Sequence, residues 1–253
     1  MEPIAADNIT VVTEVLDTER SQLLTLLASL DEAQWQQPTE CPAYSVKGIA
    51  THVLGDDLSL LSRQRDGAVQ GLVLVAERMP GADLRALLDA FNDQWVEAAR
   101  FLSPPLLIEL LRLSGQWSNT YYRDVDPTSP GEPVPMFEPA VGATSPFWQA
   151  IAREYLERWA HHSQICRALS LPTLADVPFL DVGIRVVATA AGTPATAPTA
   201  PDRDWSIGPL VLGPAQQAAD ILTLAHTEPE LQSLVEGPAD LVALFASRLG
   251  RRP

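Results

Sequence analysis

The sequence has few cysteines, few basic residues and no long apolar run. Its 253 residues include two cysteines, and 17 lysines and arginines stand against 32 aspartates and glutamates, for a net charge of −15. Two cysteines make no disulfide framework, which favours a reducing cytoplasm. The sequence has no stretch of eighteen apolar residues, so no membrane-spanning helix is predicted. Residues 1–10 lack the basic start of a secretory signal. The acidic balance makes nucleic acid and anionic membrane surfaces poor partners.

What the chain does have is apolar residues at helical spacing, separated by proline-rich segments. Apolar residues make up 46% of the chain, and 22 prolines lie mostly between the periodic stretches. Ser45 and Asp83 are placed to cap two of the predicted helices, and Ser145 with Pro146 marks the start of another. Gly67 is a plausible end of the helix that Ser45 begins. The pattern predicts a mainly α protein, with an up-and-down bundle of four or five helices over residues 1–170 built from 8–30, 46–67, 83–102, 106–122 and 146–169.

The rest of the chain, residues 171–253, has a different pattern. It predicts a small C-terminal α+β domain that is separate from the bundle. The low-complexity run GTPATAPTAPD is typical of a flexible linker. The other predicted segments are a helix at 180–191, β-prone runs at 205–212 and 221–225, and helices at 228–235 and 239–249.

Histidines and carboxylates at helical spacing are the first candidates for chemistry. Glu157 and His161 are four residues apart on one predicted helix, so both side chains lie on the same face and can converge on one ion. Glutamate with histidine suits zinc or another borderline divalent metal. His52, on another helix, is the obvious third ligand. From the residues alone, a solvated surface pair is the more common explanation of Glu157 and His161.

Four further residues lie near the core faces of the second and third predicted helices. Asp57 falls in the middle of an apolar stripe, and a buried carboxylate needs a partner, so a structural role is favoured over direct catalysis. Asp56, Asp57 and Asn92 are the candidate catalytic residues. Trp95 is the candidate cofactor-binding residue.

Two sequence runs resemble the signatures of the mycothiol-dependent maleylpyruvate isomerase family of the DinB-like superfamily. The first is WQQPTECPAYSVK (35–47) followed by ATHVLGDDL (50–58), and the second is EYLERWAHHSQI (154–165). The resemblance extends over about residues 10–170, and over the C-terminal part only in outline. Ala43 and Tyr44 stand where the family usually has Gly and Trp, and His162 and Ser163 stand where glutamines are common.

The resemblance implies a metal, usually zinc, held by His52, Glu157 and His161. Three protein ligands leave a coordination position open, which is typical of a catalytic site. The chain has no convincing nucleophilic cysteine, so the thiol comes from outside, and the resemblance implies mycothiol. The leading hypothesis is that the thiolate held by the metal adds to a small electrophile, which is then released as a cis-trans isomer or as the S-conjugate.

Two other hypotheses remain open. A metal-dependent hydrolase would use water in place of the thiol, and a non-catalytic binding protein could carry the same fold. The sequence names neither the electrophile nor the metal, and it leaves open whether the chain is a monomer or a homodimer.

Overall fold

The computed structural model describes residues 1–134, 136–137, 144–198, 203–223 and 226–249. This part of the chain is mainly helical, with a few short antiparallel strands in its C-terminal part. It is consistent with the predicted DinB-like bundle, so the predicted fold class is confirmed. None of the described helices is long and apolar enough to cross a membrane.

The chain divides into two compact units. One unit is the continuous segment Arg20–Asp124, and the other, here called the split unit, combines Met1–Glu19 with Val125–Pro253. Helix α1 (Thr10–Ala28) contributes its first part to the split unit and its second part to the Arg20–Asp124 unit. The predicted domain boundary at residue 170 stays a prediction.

The Arg20–Asp124 unit is built around helix α3 (Val46–Leu60). Helix α3 packs against α5 (Leu84–Ala99) and α6 (Pro104–Asp124), and α4 (Gly71–Arg78) packs against α5. A five-residue π-helical turn, Leu61–Arg65, extends α3, and Gly67 follows it with φ +69, a conformation that glycine adopts without strain. Apart from the last part of α1, the helices are α2 (Glu32–Trp35), α3 (Val46–Leu60), α4 (Gly71–Arg78), α5 (Leu84–Ala99) and α6 (Pro104–Asp124).

Two predicted helix caps are confirmed in this unit. The Ser45 hydroxyl accepts a hydrogen bond from the Gly48 amide at 3.3 Å, and an Asp83 carboxylate oxygen accepts one from the Ala86 amide at 2.9 Å. Each bond satisfies an amide that has no partner inside its helix. Helices α2 and α4 were not predicted, because four and eight residues are too few for periodicity to identify.

The split unit combines helices with two small sheets. Helix α7 (Phe147–Ala168) packs against α8 (Val177–Ala191) and α9 (Ala215–Thr223), and α10 (Glu228–Leu234) packs against α11 (Ala239–Leu249). Strand β1 pairs with β2, and the second sheet has the antiparallel order β3-β4-β5. After the first part of α1, the elements are β1 (Pro130–Gly131), β2 (Ser145–Pro146), α7 (Phe147–Ala168), α8 (Val177–Ala191), β3 (Ala195–Thr196), β4 (Trp205–Ile207), β5 (Leu210–Gly213), α9 (Ala215–Thr223), α10 (Glu228–Leu234) and α11 (Ala239–Leu249).

Two sequence predictions in this unit were wrong. Ser145 does not cap α7: it belongs to β2, and its hydroxyl accepts a hydrogen bond from the Val134 amide at 3.1 Å. The described part of the β-prone run, residues 221–223, is helical rather than a strand, since Ile221 and Thr223 lie at the end of α9, with Ile221 buried. Packing of an amphipathic helix overrides the β preference of Ile and Thr. Residues 224–225, and 199–202 of the predicted linker, lie outside the described residues.

Candidate metal centre

His52 and Asp56 form the first candidate pair, on helix α3. They are four residues apart, which stacks their side chains on one face of the helix. His52 Nε2 lies 3.7 Å from Asp56 Oδ2. His52 is 8% exposed, whereas the Asp56 side chain is about a third exposed, so the carboxylate is the more accessible of the two. Both are among the side chains that could hold a metal ion, and they make a possible His/Asp site.

The imidazole of His52 lies against the ring of Tyr44. The ring centroids are 6.1 Å apart and the planes are inclined by 24°, a stacked arrangement. The Tyr44 hydroxyl donates a hydrogen bond to Asp93 Oδ1 at 2.8 Å. Burial and the neighbouring Asp93 carboxylate raise the pKa of Tyr44, so its hydroxyl stays protonated at neutral pH.

Asp57, next along α3, has its charge fully paired. Its carboxylate has no solvent exposure and accepts hydrogen bonds from Arg20 at 2.8 and 3.3 Å and from the Ser114 hydroxyl at 2.6 Å. The partner predicted for this buried carboxylate is therefore Arg20, whose guanidinium also donates to the Leu111 carbonyl at 2.7 Å. These contacts describe a structural role, and a catalytic role for Asp57 stays a prediction.

Asn92 and Trp95 both lie on α5, which packs against α3. The indole of Trp95 covers Gly55, the residue before Asp56. A methyl group added at Gly55 would come within 2.6 Å of Trp95 Cγ, so the two helices approach this closely only because residue 55 has no side chain. Asn92 is half-buried on the same helix. The roles assigned to Asn92 and Trp95 stay predictions.

Glu157 and His161 form the second candidate pair, on helix α7. His161 Nε2 lies 3.9 Å from Glu157 Oε2, and Arg153 lies 3.5 Å from the other oxygen of that carboxylate. His161 Nδ1 is 2.9 Å from Gln164 Oε1. Since a carbonyl oxygen only accepts, Nδ1 carries a proton, and in the neutral ring Nε2 then has the lone pair. Such a hydrogen bond from the far ring nitrogen is typical of histidines that bind metal, and His161 is among the side chains that could do so.

His162, beside His161, is held by a residue that the sequence analysis missed. Its Nδ1 lies 3.0 Å from Glu19 Oε1, and both side chains are almost fully buried. Burial lowers the pKa of His162, but hydrogen bonds with Cys166 and Glu19 outweigh it and raise the pKa to about 9. The signal for Glu19 was available, because Glu19 continues the apolar stripe of α1 that runs through Val12, Val15, Leu16 and Leu23.

The nitrogen–oxygen distances within the two pairs are longer than a hydrogen bond and somewhat longer than the separation of two ligands around zinc. Both 3.7 Å and 3.9 Å exceed the usual hydrogen-bond range. Ligand atoms about 2.1 Å from a tetrahedral zinc ion lie roughly 3.4 Å from one another. The donors in each pair are an imidazole nitrogen and a carboxylate oxygen, which suit zinc. Each pair therefore supplies two donor atoms of the types that zinc binds.

A comparison with models of protein families identifies the family of this chain. The model of the mycothiol maleylpyruvate isomerase N-terminal domain matches residues 16–166, more than half of the chain. The chain belongs to this family. No curated protein and no solved structure matched the chain in the same comparisons.

The family match includes both candidate pairs. His52 and Asp56, and Glu157 and His161, all lie within the matched residues, as do Tyr44 and Asp93. The elements from α8 onward lie beyond the match. Family membership therefore applies to the part of the chain that carries the candidate site.

Cys41 and Cys166 are both free cysteines.

Proposed function

We propose that this protein is a divalent-metal-dependent enzyme that activates mycothiol for addition to a small electrophile. The observation that carries the proposal is that His52 and His161 are both among the side chains that could hold a metal ion, and that each has a carboxylate four residues away on its own helix. Membership of a family named for a mycothiol-dependent isomerase supports the choice of thiol.

The proposed ligands are His52, Glu157 and His161. Their chemistry matches zinc, which takes two imidazoles and one carboxylate in catalytic sites and leaves a position for substrate. A divalent ion bound there would lower the pKa of a thiol, which is near 8.5 in water, and favour the thiolate at neutral pH.

The remaining residues of the proposed site handle the proton and the substrate. Asp56, about a third exposed and 3.7 Å from His52 Nε2, is the carboxylate that we assign to accept the thiol proton. We assign Trp95 to form an apolar surface against the bound thiol, and Asn92 to make a polar contact with it. We keep Asp57 as a support for α3, since Arg20 and Ser114 occupy its carboxylate.

Two outcomes of the same addition are consistent with this site. Sulfur bonds to the electrophilic carbon of an alkene conjugated to a carbonyl, and the electron pair of the double bond moves towards that carbonyl. If the C–S bond breaks after rotation, the product is the geometric isomer and the thiolate is regenerated. If Asp56 instead returns the proton to the neighbouring carbon, the product is the S-conjugate. The enzyme is thus an isomerase or an S-transferase.

The experiment that tests the proposal combines metal analysis with thiol-dependent turnover. Protein purified without chelator should hold about one zinc ion per chain, as expected of a single site, and His52→Ala or His161→Ala should lose it. His226→Ala is the matched control, because His226 lies outside both pairs and its variant should keep the metal. Mass spectrometry of a mixture of protein, mycothiol and a panel of electrophiles should then detect an isomer or a conjugate.

Other results would favour the other hypotheses. Turnover that is unchanged without mycothiol would indicate the metal-dependent hydrolase. A wild-type protein that holds no metal and cannot be loaded with zinc would leave only the non-catalytic binding protein. The cytoplasmic location remains a proposal, which is based on the low cysteine content. The proposed partners are the thiol and the electrophile.

A further inference from the structure

The tyrosine that stacks on His52 is fixed at both its backbone and its hydroxyl. The Thr39 hydroxyl donates to the Tyr44 carbonyl at 2.7 Å, and the Tyr44 amide donates to the Cys41 carbonyl at 3.0 Å. These bonds hold the turn that precedes α3. They set where the Tyr44 side chain leaves the backbone, directly over the start of that helix.

The other end of Tyr44 is attached to a different helix. Its hydroxyl donates to Asp93 Oδ1 at 2.8 Å, and Asp93 lies on α5. The aromatic ring between these two ends stacks on the imidazole of His52, with the planes inclined by 24°. A ring that is anchored at both ends cannot swing away from His52 without breaking a hydrogen bond.

We infer that Tyr44 and Asp93 form a positioning device for His52, which fixes the plane of its imidazole for metal binding. The inference rests on the proposed function in one respect, since His52 is a metal ligand only under that proposal. An imidazole coordinates along the direction of its nitrogen lone pair, so a ring held in one plane loses less freedom when the ion binds. Partners that orient ligating histidines contribute to metal affinity in this way.

The structure identifies variants that remove the tether but keep the stacked ring. Tyr44→Phe removes only the hydroxyl, and Asp93→Ala removes only its acceptor. Neither change creates a cavity in a fully buried core, because Asp93 is exposed and Tyr44 is half-buried. If the device works as a unit, each variant should have the same effect, and the double variant should be no worse than either single one.

Tyr121→Phe is the matched control in the same unit. The Tyr121 hydroxyl also donates to an oxygen on another helical segment, the Gln64 carbonyl at 3.1 Å. Its loss removes a hydrogen bond of the same kind away from His52. A general loss of stability would affect this variant as much as Tyr44→Phe.

The first measurement is zinc affinity of the full chain, by competition with a chromophoric chelator. We expect Tyr44→Phe, Asp93→Ala and the double variant each to bind zinc about tenfold more weakly than wild type, the lower end of the effect of losing an orienting partner. Tyr121→Phe should bind zinc as tightly as wild type. Affinities of Tyr44→Phe and Asp93→Ala that stay within about twofold of wild type would overturn the inference.

The second measurement does not need metal. In the metal-free protein, the NMR signal of the His52 ring should be a single sharp resonance, and it should broaden or move in Tyr44→Phe and Asp93→Ala but not in Tyr121→Phe. An unchanged His52 signal in both variants would overturn the positioning role even if zinc binds. A wild type without zinc affinity but with the expected His52 signals would contradict the proposed function and leave the device standing.

Discussion

At the scale of single residues, buried charges are the costliest feature of this chain. Arg20 is 4% exposed and Asp57 is fully buried, and the two form an ion pair at 2.8 Å. A buried pair adds little net stability over apolar side chains, because desolvation offsets the attraction. Its role is better described as specifying one arrangement of α1, α3 and α6, since Ser114 on α6 binds the same carboxylate.

Removal of one partner of this pair should therefore be severe. Asp57→Ala leaves the Arg20 guanidinium buried without its counter-ion, and we expect a loss of about 3–5 kcal/mol in the free energy of unfolding. Ser114→Ala removes one neutral donor from the same carboxylate and should cost less, about 1.5–3 kcal/mol. Urea denaturation of the two variants checks both values. Equal, small losses would mean that Arg20 finds another partner.

The two carboxylates of the proposed centre should differ in their effects on metal and on turnover. Glu157→Gln removes a proposed ligand, so zinc affinity should fall by tenfold or more, the range seen when metal-site groups are lost. Asp56→Asn keeps the size of the side chain but cannot accept the thiol proton, so it should keep most of the metal and lose thiol-dependent turnover. Chelator competition and product formation measure the two effects. The reverse pattern would show that Asp56 is the ligand.

At the scale of elements, close approach depends on residues with no side chain. Gly183 on α8 meets Trp159 on α7, and an added methyl group would come within 2.4 Å of the indole. Trp159 is fully buried and donates its Nε1 proton to the Leu174 carbonyl at 2.9 Å, so it cannot easily move aside. This contact sets the spacing of α8 from the helix that carries Glu157 and His161.

Gly183→Ala should consequently destabilise the protein, although alanine is the better helix former. Overpacking of a buried contact costs about 1–3 kcal/mol, more than the gain of up to about 1 kcal/mol from helix propensity. Val177→Ala on the same helix is the control, because Val177 is 67% exposed and its truncation should change stability by about 0.5 kcal/mol or less. Thermal unfolding followed by circular dichroism compares the two. A stabilised Gly183→Ala variant would contradict the packing argument.

The helices themselves were mostly predictable, because their signals are local. Each signal is formed by residues that are close together in sequence. This holds for the caps at Ser45 and Asp83 and for the apolar stripes of α1, α5 and α6. The errors fall where tertiary contacts decide: Ser145 belongs to a strand pair, and residues 221–223 belong to a packed helix. Helix α4 is too short to show a period and is defined by its packing on α5.

At the scale of the whole molecule, metal binding and folding should be linked. A ligand that binds only the folded chain stabilises it by about 2.7 kcal/mol at a hundredfold excess over its dissociation constant. Stabilisation by zinc should require the proposed ligands. The net charge of −15, by contrast, would attract any cation weakly. Magnesium at the same concentration reports that weaker attraction.

Zinc should therefore raise the unfolding temperature of the wild type, and a chelator should reverse the rise. His52→Ala and His161→Ala should show no zinc-dependent shift, while His226→Ala should respond as the wild type does. Differential scanning calorimetry with zinc, with magnesium and with chelator measures the shifts. An equal shift with magnesium, or a shift that persists in His52→Ala, would show that the stabilisation comes from general charge screening.

The sequence by itself determined the helical class, most helix boundaries and the identity of the histidine and carboxylate candidates. It could do so because capping, periodicity and the i, i+4 spacing act over a few residues. Only the tertiary structure decided that Arg20 pairs with Asp57, that Glu19 binds His162, and that Tyr44 stacks on His52 while bonding Asp93. Most of these partners are 37 to 143 residues apart in the sequence. Tyr44 and His52, which are eight positions apart, are the exception. Contacts of this kind follow from how helices pack, which no local pattern encodes.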